Sequence, residues 1–203
     1  MNLIHRCLCR SASWGKVLER FAVPWTLADV ELGNDVLELG PGHGLTTDLL
    51  RCRLPRITAL EIDAVLARSL AARLRGSNVT VVQGDATAMP LDDARFSGAV
   101  CLHMLHHVHS ADLQNKLFRE AWRVLRPGAW FVGVDSLGFE SLSMRLIHIG
   151  DTLVPVSPDT LGARLEAAGF RDVGVDTNPY AFRFRARRPA ASRNESGNKG
   201  EKP

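Results

Sequence analysis

The sequence predicts an α/β fold in which short buried strands alternate with helices around a mostly parallel sheet. Three observations point there. Val36, Leu37 and Leu39 form an apolar run of the kind buried in a parallel sheet, and Gly40, Pro41, Gly42, His43 and Gly44 break it before a helical pattern starts at Leu45. The alternation then recurs, with apolar strands expected at Ile57–Leu60, Asn78–Gln83, Ala99–Leu102 and Ala129–Val134. Last, Ala181–Arg187 alternates apolar and basic residues, the period of an antiparallel strand with a solvated face.

At 203 residues, 45% hydrophobic and 23% charged, the chain has the size and composition of one globular domain with a substantial core. Net charge is +3, but seven basic residues against two acids fall from Arg183 onward, so the preceding body is close to neutral. A nucleic-acid binder would carry its basic face on the fold itself, which argues against nucleic acid as partner. Cys7, Cys9, Cys52 and Cys101 show no paired zinc spacing; reduced thiols and no metal site are expected, despite His5 beside the first pair. No apolar run reaches membrane-spanning length and Met1–Arg10 lacks the apolar core of a signal peptide, so a soluble, cytoplasmic protein without a membrane partner is expected.

Taken in order, residues 1–30 are expected to form a helical cap carrying the stripe Leu3, Ile4, Leu8, Trp14, Val17, Leu18, Phe21 and Trp25, kinked or restarted at Pro24. Such a stripe packs a core. The main domain spans 31–188. Its first strand ends in Glu38 and the turn Gly40-x-Gly42-x-Gly44. A dinucleotide fingerprint would want a small residue where Leu45 stands, and a carboxylate at Glu38 repels a pyrophosphate but attracts an ammonium group. The second strand ends at Glu61-Ile62-Asp63. Glu61 lies 21 residues past Gly40, close to the separation of about 20 at which an acid meets ribose hydroxyls, while Asp63 caps the helix Ala64–Leu74. The third strand runs into Gly84-Asp85-Ala86-Thr87-Ala88-Met89-Pro90, and the fourth into Leu102-His103-Met104-Leu105-His106-His107. A helix over Asp112–Leu125 stops at Arg126-Pro127-Gly128. The irregular stretch Asp135–Pro158, with Phe139, Met144, His148 and Asp151, is placed as a lid at the carboxyl edge of the sheet, followed by a helix over Thr160–Ala168 that ends at Gly169. From Pro189 the composition turns to Ser, Asn, Gly and Lys, a disordered tail over 189–203.

E-L-G-P-G-H-G at Glu38–Gly44 resembles the first motif of the class I S-adenosylmethionine-dependent methyltransferases, and the E-I-D, G-D-A-x-x-M-P, L-H-H and R-V-L-R-P-G segments resemble that family's later motifs in the same order. The resemblance implies a doubly wound, seven-stranded Rossmann-like sheet with helices on both faces, and S-adenosylmethionine as cofactor. It implies that Gly40, Gly42 and Gly44 wrap the amino-acid end with Glu38 holding the amino group, that Glu61 and Ile62 meet the ribose, that Asp85 and Ala86 bond the adenine, and that Leu102 borders the cofactor. It also implies that Phe21 and Trp25, besides packing a core, cover a ligand cleft. One departure is Ser97, where the family usually has an aspartate.

Four of the seven histidines fall within His103–His109. An oxygen or nitrogen acceptor needs a base, and histidine suits that near neutral pH; His103, first past the strand end, is the leading candidate and His106 the next, set against a cap or core role for each. H-M-L-H replaces the N-[L/I]-P-[Y/F] motif by which ribosomal-RNA adenine dimethyltransferases stack a flipped base. Metal-independent methylation of a small, partly apolar molecule is therefore the expected function. The alternatives are an RNA or protein methyltransferase recruiting its target through the basic C-terminal segment, a non-catalytic cofactor-binding regulator, and an aminopropyl transferase, which the histidine run disfavours.

Overall fold

A computed structural model describes residues 11–138, 150 and 152–190. His5, Cys7, Cys9, Phe139, Met144, His148, Asp151 and the tail from residue 191 lie outside the described residues.

The apolar runs become the strands of one sheet. They are β1 (Val36–Leu39), β2 (Ile57–Glu61), β3 (Val79–Gln83), β4 (Phe96–Leu102), β5 (Leu125–Ser136), β6 (Arg171–Thr177) and β7 (Ala181–Arg187). The order is β3-β2-β1-β4-β5-β7-β6, and β7 alone runs antiparallel to its neighbours. The α/β fold and the seven-stranded, mostly parallel sheet expected from the sequence are thus both present. β1 and β2 are buried at every position because strands and helices cover both faces.

Alternation along the strands feeds two cores. Leu37, Leu39, Cys101, Phe131 and Phe184 face α5 (Ala111–Val124) and α6 (Pro158–Ala167) on one side. Val36, Ile57, Val100 and Val132 face the other, where they meet Leu50 of α3 (Leu45–Leu50) and the N-terminal Leu18, Ala22 and Val23. The remaining helix, α4 (Ala64–Arg73), begins at Asp63, whose side chain accepts from the Val65 and Leu66 N–H groups at 2.7 and 3.1 Å, the expected cap.

The N-terminal segment departs from a simple helix. α1 (Ala12–Val17) passes through one π-helical turn, Leu18–Ala22, into α2 (Val23–Leu27), with Pro24 in the first turn of the restarted helix. The fifth strand also starts earlier than Ala129. Leu125 pairs with Phe96 but Trp130 with Gly98, so 126–129 bulge out of register around Gly128, whose φ is +85°. Arg126-Pro127-Gly128 still ends the helix, and regular pairing resumes at Trp130.

The arginines of β7 are not simply a solvated face. Arg183 bonds Asp176 at 2.8 Å and the Trp25 carbonyl at 2.6 Å, and its guanidinium lies 5.6 Å from the Trp25 ring centre. Arg187 sits over Trp130 in the same manner, at 5.4 Å. Indole faces contributed from far along the chain turn an exposed basic edge into packing.

Candidate functional site

The strand order reverses between β1 and β4, which opens a crevice at the carboxyl ends of the strands. A cavity of about 700 Å³ occupies it. A second hollow of about 380 Å³, lined by Asn34, Arg56 and Asn78 among others, lies at the amino ends and contains none of the expected site residues.

The glycine turn forms one wall. Gly40, Gly42 and Gly44 all hold positive φ, at +66°, +56° and +84°, a region closed to most L side chains. At Gly40 space is equally limiting, since a Cβ there would meet the Met104 side chain. The turn is pinned from the neighbouring strand. Glu61 accepts from the Gly42 N–H through Oε2 and from the Asp63 N–H through Oε1, both at 2.9 Å. A carboxylate offers about four acceptor positions, so two remain for a ligand. Asp85 spends Oδ1 on the Thr87 N–H at 2.7 Å, and Ala86 follows it on the cavity wall. Ile62, 65% exposed, forms part of the rim, and Leu102 is buried at the cavity floor.

Glu38 is placed differently from the other acids. It lies behind the glycine turn, only 1% exposed, rather than on the cavity surface. The Thr46 hydroxyl donates to Oε1 at 2.5 Å, while Oε2 is buried with no hydrogen-bond partner among the described residues. Burial pushes its carboxyl up to about 7, against the pull of the Thr46 and Thr47 hydroxyls and with help from the charges of Asp48 and Glu61. An orphaned buried carboxylate oxygen beside an open glycine turn is what a ligand ammonium group would satisfy.

Beyond β4 the wall is made of imidazoles. His103, His106, His107 and His109 line the cavity there, and His43 lines it from the glycine turn. His103 holds φ +51°, unusual for a non-glycine residue; its Nδ1 lies 3.2 Å from Ser136 Oγ and its ring meets Trp14 edge-on at 5.1 Å. Burial lowers its pKa to about 4, Asp135 opposing and His106 adding to the shift, so the ring is neutral at pH 7. His106 Nδ1 lies 2.5 Å from Asp135 Oδ1, and the same carboxylate accepts the backbone N–H groups of His106 and Ser136 at 3.1 and 2.7 Å. Burial would raise Asp135, but His106, by charge and hydrogen bond, holds it below the usual carboxylate range with His103 and Ser136 adding to it. An ionised carboxylate only accepts, so in this hydrogen bond His106 Nδ1 donates.

Seven of the nine expected cofactor residues therefore line the cavity, Gly44 completes the glycine turn and Glu38 lies behind it, and both expected histidines border the same space. Phe21 and Trp25 do not. Phe21 is 67% exposed and Trp25 packs under Arg183, while Trp14 and Leu18 line the cavity instead. Asp135 and Ser136 were missed as site residues, although Asp135 ends an apolar strand just as Glu38 and Glu61 do. Counting carboxylates and cations, the described part of the wall carries one sign of charge. Among the described lining residues Glu61, Asp63 and Asp85 are acidic and none is Lys or Arg, a poor setting for a pyrophosphate and a good one for a ligand with net positive charge.

Residues 37–133 match the family model described as a methyltransferase domain. The matched stretch, just under half of the chain, makes it similar to the S-adenosylmethionine-dependent methyltransferases. A relative in Mycobacterium tuberculosis, named "Probable S-adenosylmethionine-dependent methyltransferase", is 30% identical over 150 residues, covering 70% of this chain and 50% of the relative. The chain thus spans about half the length of that relative. Ribosomal RNA small subunit methyltransferase A of Deinococcus radiodurans is 48% identical over 54 residues, 27% of this chain and 18% of that protein. Among solved structures, an S-adenosylmethionine-dependent methyltransferase from Aquifex aeolicus superimposes with a TM-score of 0.68 at 22% identity, covering 85% of this chain and 93% of the other, a likeness of fold. The cofactor of the family is S-adenosylmethionine, as expected from the sequence. Among the described residues no helix is long and apolar enough to cross a membrane.

Proposed function

We propose that this chain transfers a methyl group from S-adenosylmethionine to a small, partly apolar molecule without a metal. The observation that carries the reading is the division of one cavity into a carboxylate-lined half at β1–β3 and an imidazole-lined half at β4–β5. When bound, the cofactor supplies an electrophilic methyl carbon on a sulfonium. Glu61 holds the ribose hydroxyls with its two spare acceptor positions, the free oxygen of Asp85 takes the adenine amino group, and the Ala86 N–H donates to the ring. Glu38 Oε2 takes the ammonium through the glycine turn. These residues fix where the methyl group stands, and placing an acceptor in line with it is most of the catalysis. The other half receives that acceptor, with Trp14, Leu18, Met104 and Leu113 as apolar walls.

RNA is the second reading, raised by the short match to the Deinococcus enzyme. Arg183 and Arg187 count against it, because both are committed to carbonyls, acids and indole rings within the fold. The test is release of S-adenosylhomocysteine from S-adenosylmethionine on a small-molecule panel and on ribosomal RNA fragments, with the full chain and with a form lacking Pro189–Pro203. Turnover of small molecules that survives the deletion supports the proposal. Methylation of RNA alone, lost with the deletion, refutes it.

A further inference from the structure

Asp85 and Ala86 stand on an irregular stretch, residues 84–91, that leaves β3 along the cavity wall. The bonds within it are local: the Asp85 side chain accepts from the Thr87 N–H at 2.7 Å and the Asp85 carbonyl from the Ala88 N–H at 3.1 Å. Its near end is tied to β2, where the Gly84 N–H donates to the Glu61 carbonyl at 2.9 Å. Its far end is tied to α5. Glu120 Oε2 accepts from the Met89 N–H at 2.7 Å, and Arg123 donates to the Met89 carbonyl from Nη2 at 3.0 Å and to the Leu91 carbonyl from Nη1 at 2.8 Å. Three residues apart on one helix face, the two side chains also bond each other, Nε to Oε1 at 2.8 Å and Nη2 to Oε2 at 2.7 Å. A last bond, from Nη1 to Asp93 Oδ1 at 2.6 Å, commits all five N–H donors of the guanidinium. The Arg123 hydrogen bonds hold the Glu120 carboxyl below the usual carboxylate range, the Met89 N–H and the Arg123 charge adding, burial and the Asp93 charge opposing.

This anchor reaches Asp85 through contact. Gly84 lies so close to Pro90 that a Cβ on it would meet the proline ring at 2.7 Å and the Leu60 side chain at 3.0 Å. The stretch is thereby closed on itself, and a shift at 89–91 passes to Gly84 and the residue after it. The helix that holds it is a firm reference, because Leu117, Phe118, Ala121 and Val124 of α5 are fully buried. We infer that Glu120 and Arg123, which are not among the described residues lining the cavity, are positioning residues for base recognition: they fix where Asp85 and Ala86 meet the edge of the adenine. The inference rests on the proposed placement of adenine against those two residues. Reading a base edge with an acceptor and a donor at once requires both to stand within about 0.5 Å of their places, which an irregular segment keeps only while its anchor holds. A site built to accept from an amino group also rejects a base that presents a carbonyl oxygen there. Selectivity between such bases therefore depends on Glu120 and Arg123, while the hold on the ribose belongs to Glu61.

The test is calorimetric titration of the full chain with S-adenosylhomocysteine and with S-inosylhomocysteine, which carries a carbonyl oxygen where adenine has its amino group. Native protein is compared with Arg123→Lys, Glu120→Gln and Arg188→Ala. Lysine keeps the charge but brings three donors in place of five, so it cannot span Glu120 and both carbonyls. Glutamine is the gentler change, since its amide oxygen still accepts from the Met89 N–H, and it carries the test if the lysine variant does not fold. Arg188→Ala is the control for loss of stability, because that guanidinium bonds the Trp122, Arg123 and Leu125 carbonyls at the end of the same helix. The native protein should prefer the adenosyl ligand about 100-fold. Arg123→Lys should reduce that preference about tenfold and Glu120→Gln about threefold or more, through weaker adenosyl binding with inosyl binding nearly unchanged. Arg188→Ala should keep the native preference. A preference that survives in both Arg123→Lys and Glu120→Gln, or that falls as far in Arg188→Ala, overturns the inference alone. Native binding of both ligands without preference overturns the placement of adenine on Asp85, and the inference with it. Absence of native binding overturns the proposed methyl transfer beneath both.

Discussion

Glu38→Gln separates what the site needs from what the fold needs. In the absence of cofactor, Glu38 buries a carboxyl whose pKa rises from an ordinary value near 4.5 to about 7. At pH 4 the group is protonated in both folded and unfolded chains. Between those two values the unfolded chain ionises while the folded one stays protonated, so stability falls as pH rises, and it is flat again above pH 7. A difference of that size corresponds to about 3 kcal/mol, at about 1.4 kcal/mol per pKa unit. Glutamine keeps the shape and an acceptor for the Thr46 hydroxyl but never ionises. The variant should therefore match native stability at pH 4 and exceed it at pH 9 by up to about 3 kcal/mol, or roughly 6–12 °C in Tm for a chain of this length. Urea denaturation followed by tryptophan fluorescence, cofactor-free, at pH 4, 7 and 9 measures it, and the difference between the two proteins cancels other titrations. The same variant should bind S-adenosylmethionine about tenfold or more weakly, the value of a hydrogen bond to a charged group. Equal stability at all three pH values, or a less stable variant at pH 9, would refute the reasoning.

Two further predictions rest on geometry. Gly40→Ala places a Cβ at φ +66° and against Met104, so it should cost about 1–2 kcal/mol of backbone strain and abolish measurable S-adenosylhomocysteine binding, read by scanning calorimetry and titration. Arg188→Ala removes a guanidinium whose Nη1 lies within 2.9 Å of the Trp122, Arg123 and Leu125 carbonyls and which stacks 3.9 Å from the Trp122 ring centre; it should lose about 2 kcal/mol in urea denaturation while leaving cofactor affinity unchanged.

The site was legible where its signal is local. A strand, a glycine turn and an acid occupy a dozen consecutive residues, the separation from Gly40 pointed to Glu61, and the G-D-A resemblance pointed to Asp85. Asp135 also stands near a strand end, but its role depends on His106, 29 residues earlier, and on β4 and β5 being neighbours. The N-terminal stripe failed for a different reason. Trp14, Leu18, Phe21 and Trp25 share one face of a regular helix, yet the π turn at Leu18–Ala22 adds a residue to the turn and rotates the later positions, so Phe21 faces solvent. The β7 arginines were misjudged because Trp25 and Trp130, which they cover, come from distant parts of the chain.

If the cavity at the carboxyl ends of β1–β4 holds S-adenosylmethionine through Glu61 and Asp85, binding depends on both acids. Calorimetric titration with S-adenosylmethionine and S-adenosylhomocysteine, beside Glu61→Gln and Asp85→Ala, tests it most directly. Glu61→Gln is the better probe than alanine because its amide oxygen still accepts one of the two backbone N–H groups that shape the turn. Micromolar binding by the native protein, weakened about 10- to 100-fold in each variant, is the predicted result. Absence of native binding, or affinity unchanged in both variants, would contradict it.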